Sequence, residues 1–212
     1  MPRLREDLFR TDAPEPIMLA RVLPFLVCVP LALSAAACSD PPPSPPAAGV
    51  SITLSPPDMT VSSTRSCNAG TVGAYTYQIG QPDPGKTIEN GHDGVTVSCL
   101  VKGDGTFNGQ IAGADERGRP ASFSFTGQIV DQMNAKANTG SMTSTSPDTG
   151  PMTSQVAGFP TCTFGPVTTL KKGAILTDIT CPLVGPIDDA SSGCAVSGTI
   201  AFEYCKTGDE QN

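Results

Sequence analysis

Val95-Thr96-Val97-Ser98-Cys99-Leu100-Val101-Lys102-Gly103-Asp104-Gly105-Thr106-Phe107-Asn108-Gly109-Gln110-Ile111 is the stretch whose reading decides the fold class. Val95, Val97, Cys99 and Val101 alternate with Thr96, Ser98, Leu100 and Lys102. That period of two puts each set on its own face of a strand. Gly103-Asp104-Gly105 then reads as a turn, because Asp-Gly supplies the positive φ that tight hairpins need. Phe107, Gly109 and Ile111 continue the alternation on a partner strand. Working outward, Phe123, Phe125 and Ile129 alternate with Ser122, Ser124, Thr126 and Gln128 to give a third strand. Near the end, Val196, Gly198, Ile200, Phe202 and Tyr204 share one face, and Ser197, Thr199 and Glu203 the other. Further strands are expected at Val50–Leu54, Val72–Ile79, Thr161–Phe164 and Ala174–Thr180, with one helical turn at Asp188–Ser192. No stretch keeps a helical period.

Short alternating strands between Gly/Pro turns predict an all-β domain: an antiparallel sandwich or barrel, disulfide-stabilised, with few or no helices. The bulk numbers agree. The 212 residues include 22 Gly and 21 Pro, only 16% are charged, and there is no Trp. The net charge is −7 and no Lys/Arg cluster offers a phosphate-binding face, so nucleic acid is not an expected partner.

Ahead of the domain, Val22 to Leu33 is an apolar run too short for a membrane-spanning helix and interrupted by two prolines. Arg21 precedes it, and Ser34, Ala35, Ala36 and Ala37 follow. A basic start, a short apolar run and small residues at a cleavage point define a secretory signal peptide, residues 1–37. The first seventeen residues carry Glu6, Asp7, Asp12 and Glu15, which suits a signal poorly, whereas Met18-Leu19-Ala20-Arg21 makes a compact start. Translation from Met18 is therefore expected.

Leu33-Ser34-Ala35-Ala36-Ala37-Cys38 resembles the lipobox of bacterial lipoproteins, with Ala35 where Leu is commoner. The resemblance covers Met18 to Cys38 alone. It implies that the Cys38 thiol receives a diacylglycerol, that the signal is cut before it, and that the new amino group is acylated. Ser39, rather than Asp, resembles the pattern sorted to the outer membrane. Ala35-Ala36-Ala37 also reads as an ordinary A-x-A site, which would give a soluble secreted product. Residues 38–49 then form a lipidated cysteine and a Pro-rich tether. Ser39-Asp40-Pro41-Pro42-Pro43-Ser44-Pro45-Pro46 is an extended polyproline spacer. Residues 50–212 are the β-rich extracytoplasmic domain.

Cysteine arithmetic supports the anchor. Cys28 leaves with the signal, and a lipidated Cys38 leaves Cys67, Cys99, Cys162, Cys181, Cys194 and Cys205, an even set. Cys194 and Cys205 lie along one strand, roughly 35 Å apart when extended, and so cannot bond unless the chain turns back. Cys181 and Cys194 flank a turn-rich loop and are the expected pair, with Cys67–Cys99 and Cys162–Cys205 completing the set.

Chemistry is harder to find. The one histidine, His92, sits in Gly91-His92-Asp93-Gly94, a sequence that reads as a solvated loop rather than a general base or metal ligand. Asp115-Glu116 and Asp188-Asp189 read as solvated turns rather than opposed catalytic carboxylates. Calcium at Asp104 or Asp188/Asp189 lacks an EF-hand spacing. No catalytic, cofactor-binding or metal-ligating motif is found. Thr139-Gly140-Ser141-Met142-Thr143-Ser144 and Thr149-Gly150-Pro151-Met152-Thr153-Ser154 are repeats. They read as a polar hairpin or mobile loop, or as a recognition loop using Met142 and Met152.

The expectation is a non-enzymatic, lipid-anchored envelope or cell-surface domain with a structural or binding role, whose partners are the membrane and an envelope protein or glycan. One alternative is a carbohydrate- or peptide-binding module. It would gain if Tyr75 and Tyr77 lay side by side on an exposed face. The other is a hydrolase using His92, which an isolated, exposed histidine would not support.

Overall fold

The computed structural model describes residues 42–58, 60, 67, 74–186, 189 and 191–208. The signal segment, Met18, Cys38 and Val72 lie outside them, as do parts of the helical turn expected at Asp188–Ser192. The strands are β1 (Ala47–Ser55), β2 (Tyr75–Ile79), β3 (Ile88–Glu89), β4 (Thr96–Val101), β5 (Thr106–Ala114), β6 (Pro120–Gln128), β7 (Thr139–Ser146), β8 (Gly150–Thr153), β9 (Cys162–Lys171), β10 (Ala174–Val184) and β11 (Cys194–Glu203). Two 3-10 turns, His92–Gly94 and Ala135–Ala137, are the only helical pieces among the described residues. The first strand starts at Ala47, inside the stretch read as tether.

All strand pairs are antiparallel, and together they form one sheet curled into a half-barrel. Its order is β2-β1-β11-β10-β9-β7-β6-β5-β4, with β3 added to β1 and β8 to β7. Alternation sets the two faces, as the sequence requires. Val97 and Val101 of β4, Phe107 and Ile111 of β5, and Phe123 and Phe125 of β6 all point into the core. With no Trp, the interior is filled by rings meeting edge to face. Phe107 meets Phe164 at 4.9 Å between centroids, and Phe125 meets Phe202 at 6.2 Å. Gly109 leaves room for Phe202: a Cβ there would stand 2.5 Å from the ring.

The curl brings the β4 edge onto the chain leaving β11. Val101 N–H donates to the Lys206 carbonyl (2.9 Å), and Lys206 N–H to the Cys99 carbonyl (3.1 Å). Gly173 N–H donates to the Val101 carbonyl at 3.0 Å. Val97 N–H is taken by the Asn90 side chain at 2.8 Å. An edge that would otherwise offer a row of unpaired amides is thereby closed. Tyr204 makes the bend possible. It sits at φ 55, one residue past the end of β11. Its side chain is 58% exposed instead of joining Val196, Ile200 and Phe202 inside, which corrects the single face expected for that strand.

The expected disulfide pairings are also corrected, although all six cysteines are bonded. The bridges are Cys67–Cys194, Cys99–Cys205 and Cys162–Cys181. Cys162–Cys181 joins neighbouring strands of the β9–β10 hairpin, next to the Thr163–Thr180 pair. Cys99–Cys205 clamps the seam, and pairing across a seam is set by curvature rather than by sequence spacing. The repeat forms the β7–β8 hairpin, as one expectation had it, but Met142 and Met152 are core residues, 1% and 4% exposed, not recognition contacts.

Cross-link entropy gives a ranking. Cys99–Cys205 spans 106 residues and Cys162–Cys181 only 19. Paired alanine replacement should therefore cost about 5 kcal/mol for the first and about 3 kcal/mol for the second. Denaturant unfolding of the two variants checks the order, and a reversed order would mean the seam bridge constrains little.

Candidate functional site

The densest set of chemical groups lies at the end of the half-barrel away from β1's start, around the β5–β6 turn Asp115–Arg119. Asp115 organises it. Its Oδ1 accepts the backbone N–H groups of Arg117 and Arg119, each at 2.9 Å, and Gly118 supplies the left-handed residue at φ 75. The turn folds the Arg119 side chain back so that Nη2 pairs with Asp115 Oδ2. Asp115 is a buried carboxylate, its side chain 2% exposed, which corrects the solvated turn expected at Asp115-Glu116; Glu116 is exposed. A buried charge is tolerated because it is paired and hydrogen-bonded.

Arg119 reaches further. Nη1 lies 3.3 Å from Asp148 Oδ2 in the β7–β8 turn. Its guanidinium carbon stands 4.1 Å from the Tyr75 ring centroid and 5.2 Å from that of Tyr77. The two rings are 4.6 Å apart. Tyr77 is buried, and its hydroxyl donates to Asp148 Oδ2 at 2.9 Å and lies 2.8 Å from Ser146 Oγ. The tyrosines thus cap the barrel beneath arginines and do not form an exposed platform. Burial, chiefly, and the carboxylates of Asp148 and Asp115 push the Tyr77 phenol up to about 12, while the Ser146 contact opposes them. The cluster ties β2 to two hairpin turns. Its charges are used on one another, and a phenol held neutral is neither a base nor a nucleophile at neutral pH.

The other expected residues lie apart. His92 Nδ1 is 3.0 Å from Asp93 Oδ2, and both side chains are exposed, at 64% and 78%. Asp104 caps its own turn by accepting from Thr106 N–H, which holds its carboxyl below the usual range. Asp189 accepts from Ser191 and Ser192 and is lowered for the same reason; Asp188 lies outside the described residues. Among the described residues, no three His, Cys, Asp or Glu side chains gather to hold a metal ion.

The outer wall carries a pattern that single-strand reading misses. One register row runs Thr106, Gln128, Thr139, Thr163, Thr180, Ser197, Thr53, Thr76 across eight strands. Over β4–β7 the wall holds a shallow depression of about 450 Å³, lined outward by Thr96, Ser98, Gln110, Ser124, Thr143 and Thr145. It is neutral and rich in hydroxyl groups.

Comparison with protein-family models, with curated proteins and with solved structures finds no match to this chain.

The arginine cluster escaped sequence reading because it is assembled by two hairpin turns and β2. The one local signal was Asp115 and Arg119, opposite charges four apart around Gly118. Tyr77 gives a test. Its folded pKa is raised above the ordinary value near 10, so the stability it contributes is intact below pH about 10 and is lost as pH rises towards 12. Tyr77→Phe should show a shallower loss of stability than the native chain over that interval in urea melts. Identical alkaline slopes would remove the burial argument.

Proposed function

We propose that the chain is a lipid-anchored domain of the bacterial cell envelope, held on the outer membrane through Cys38, with a structural or binding role rather than a catalytic one. One observation carries the reading: the six cysteines after Cys38 pair completely among themselves. Three disulfides belong to an oxidising compartment outside the cytosol. They also remove any domain partner for Cys38, which is what lipidation of that thiol requires. The proline-rich stretch after it supports the same reading as a spacer, and two or more acyl chains would make the attachment stable. The binding role rests on the placement of the polar groups. The arginine cluster is closed on itself, and His92 with Asp93 stands on the surface.

Intact mass of the native chain from its membrane fraction tests the anchor. The expected species begins at Cys38, carries acyl mass and gains six hydrogens on reduction. Cys38→Ser should move the protein to the soluble fraction while leaving its unfolding midpoint unchanged. An unacylated, soluble native chain would retire the proposal in favour of a secreted protein.

A second reading, recognition of a neutral glycan, is favoured by the uncharged depression over β4–β7, whose hydroxyl and amide groups offer hydrogen bonds without aromatic stacking. Retention on neutral polysaccharide, weakened by Gln110→Ala, would support it. Retention unaffected by that change would not.

A further inference from the structure

The two ends of the half-barrel differ in charge and in exposed apolar surface, and the tether enters at one of them. Antiparallel strands place the β2–β3, β4–β5, β6–β7 and β9–β10 connections, the exit of β11 and the start of β1 at the same end. All six lysines of the chain, Lys86, Lys102, Lys136, Lys171, Lys172 and Lys206, fall on those segments. Five carboxylates accompany them: Asp83, Glu89, Asp104, Asp131 and Glu203. Asp209 and Glu210 follow in the sequence. The far end carries Arg117 and Arg119 against six carboxylates, Asp58, Asp93, Asp115, Glu116, Asp148 and Asp189. The charge along the barrel is therefore graded, acidic away from the tether.

The same end holds every large hydrophobic side chain exposed among the described residues: Met133 at 93%, Val130 at 62% and Tyr204. Val130 and Met133 are not on a loose loop. Asn138, fully buried, accepts the N–H groups of Val130 and Asp131 at 2.9 Å through Oδ1. Its Nδ2 donates to the carbonyls of Asp131 (2.6 Å) and Phe164 (3.0 Å). A buried amide with its bonds satisfied holds the apolar tip outward.

Pro43 and Ser44 line a depression with Lys171, Gly173 and Tyr204, so the tether leaves beside these residues. Ser44 is six residues from Cys38 in the sequence, a reach of at most roughly 20 Å for any chain conformation. A spacer that short keeps this end near the bilayer that holds the acyl chains.

The geometry points to this end as a membrane-contacting surface, in which Met133, Val130 and Tyr204 enter the interfacial layer of an anionic bilayer and the neighbouring lysines meet its headgroups. The inference rests on the anchored reading above and adds an orientation to it. Amphipathic side chains flanked by lysine are what the interfacial region accepts, and each lysine near an anionic surface strengthens binding about fivefold. The acidic end is repelled by the same surface, so the field favours one orientation.

The test uses the mature chain carrying Cys38→Ser, which removes the acyl chains, with phosphatidylcholine vesicles containing about one third phosphatidylglycerol. The chain has no Trp, so Met133→Trp makes a single reporter of the tip and Glu116→Trp one of the far end. Tryptophan emission should shift to the blue on vesicle addition for Met133→Trp alone. Combined Lys136→Gln, Lys171→Gln and Lys206→Gln should weaken binding on the order of a hundredfold, and Arg117→Gln should not. Thermal midpoints establish that each variant is folded. No shift at Met133→Trp, an equal shift at both reporters, or equal weakening by Arg117→Gln overturns the proposal. Acyl mass on the native chain without vesicle contact would remove this surface and leave the anchor. Vesicle contact without acyl mass would do the reverse.

Discussion

Closure of the β4 edge on the chain beyond β11 is the constraint on which the remaining structure depends. A curled antiparallel sheet has two edges, and an open edge exposes amides that either bind water or bind another chain. Here the edge is met by the backbone of Lys206 and Gly173, by the Asn90 side chain and by the Cys99–Cys205 bond. Once it is fixed, β5 and β11 face each other closely enough for Phe202 to occupy the space above Gly109. The aromatic core then follows, because rings from β5, β6, β9 and β11 converge on the enclosed volume.

The two ends of the half-barrel solve different problems. At the end built by the β5–β6 and β7–β8 turns, Arg119 lies between two carboxylates and above two tyrosine rings, so the side chains there are tied to one another. Removing Arg119 would leave the buried Asp115 carboxylate without its counter-charge, so the cluster holds the turn in place. At the opposite end, lysines and a few apolar side chains stay exposed around Pro43 and Ser44, just ahead of β1. The wall over β4–β7 is neutral and hydroxylated, consistent with threonine's preference for strands and its tolerance of water.

Much of the fold was legible because the period of two is local information. Strands β4, β5, β6 and β11 were located from alternation alone, which named most of their buried residues but not Ala121, Cys194 or Ala201, up to the bend at Tyr204. The β9 and β10 strands were recognised but cut short, since β9 runs on past Pro166 to Lys171 and β10 past Thr180 through Pro182 to Val184. The candidate site was hardly legible. Tyr77, Arg119 and Asp148 are separated by tens of residues, and nothing in their local sequence marks them as neighbours. The methionines of the repeat were open to misreading for a related reason: alternation does not say which face a flanking strand will bury.

By itself, then, the sequence determined the class of fold, the even set of six cysteines after Cys38, and a stretch before that residue that resembles a lipobox. Each depends on residues close together in the chain or on composition. The tertiary structure alone decided the disulfide partners, the burial of Asp115, the unequal ends and the row of hydroxyls around the wall. These depend on how far the sheet curls and how its strands are staggered. Curl and stagger arise from many small packing contacts summed over the whole sheet, and no single stretch of sequence carries that sum.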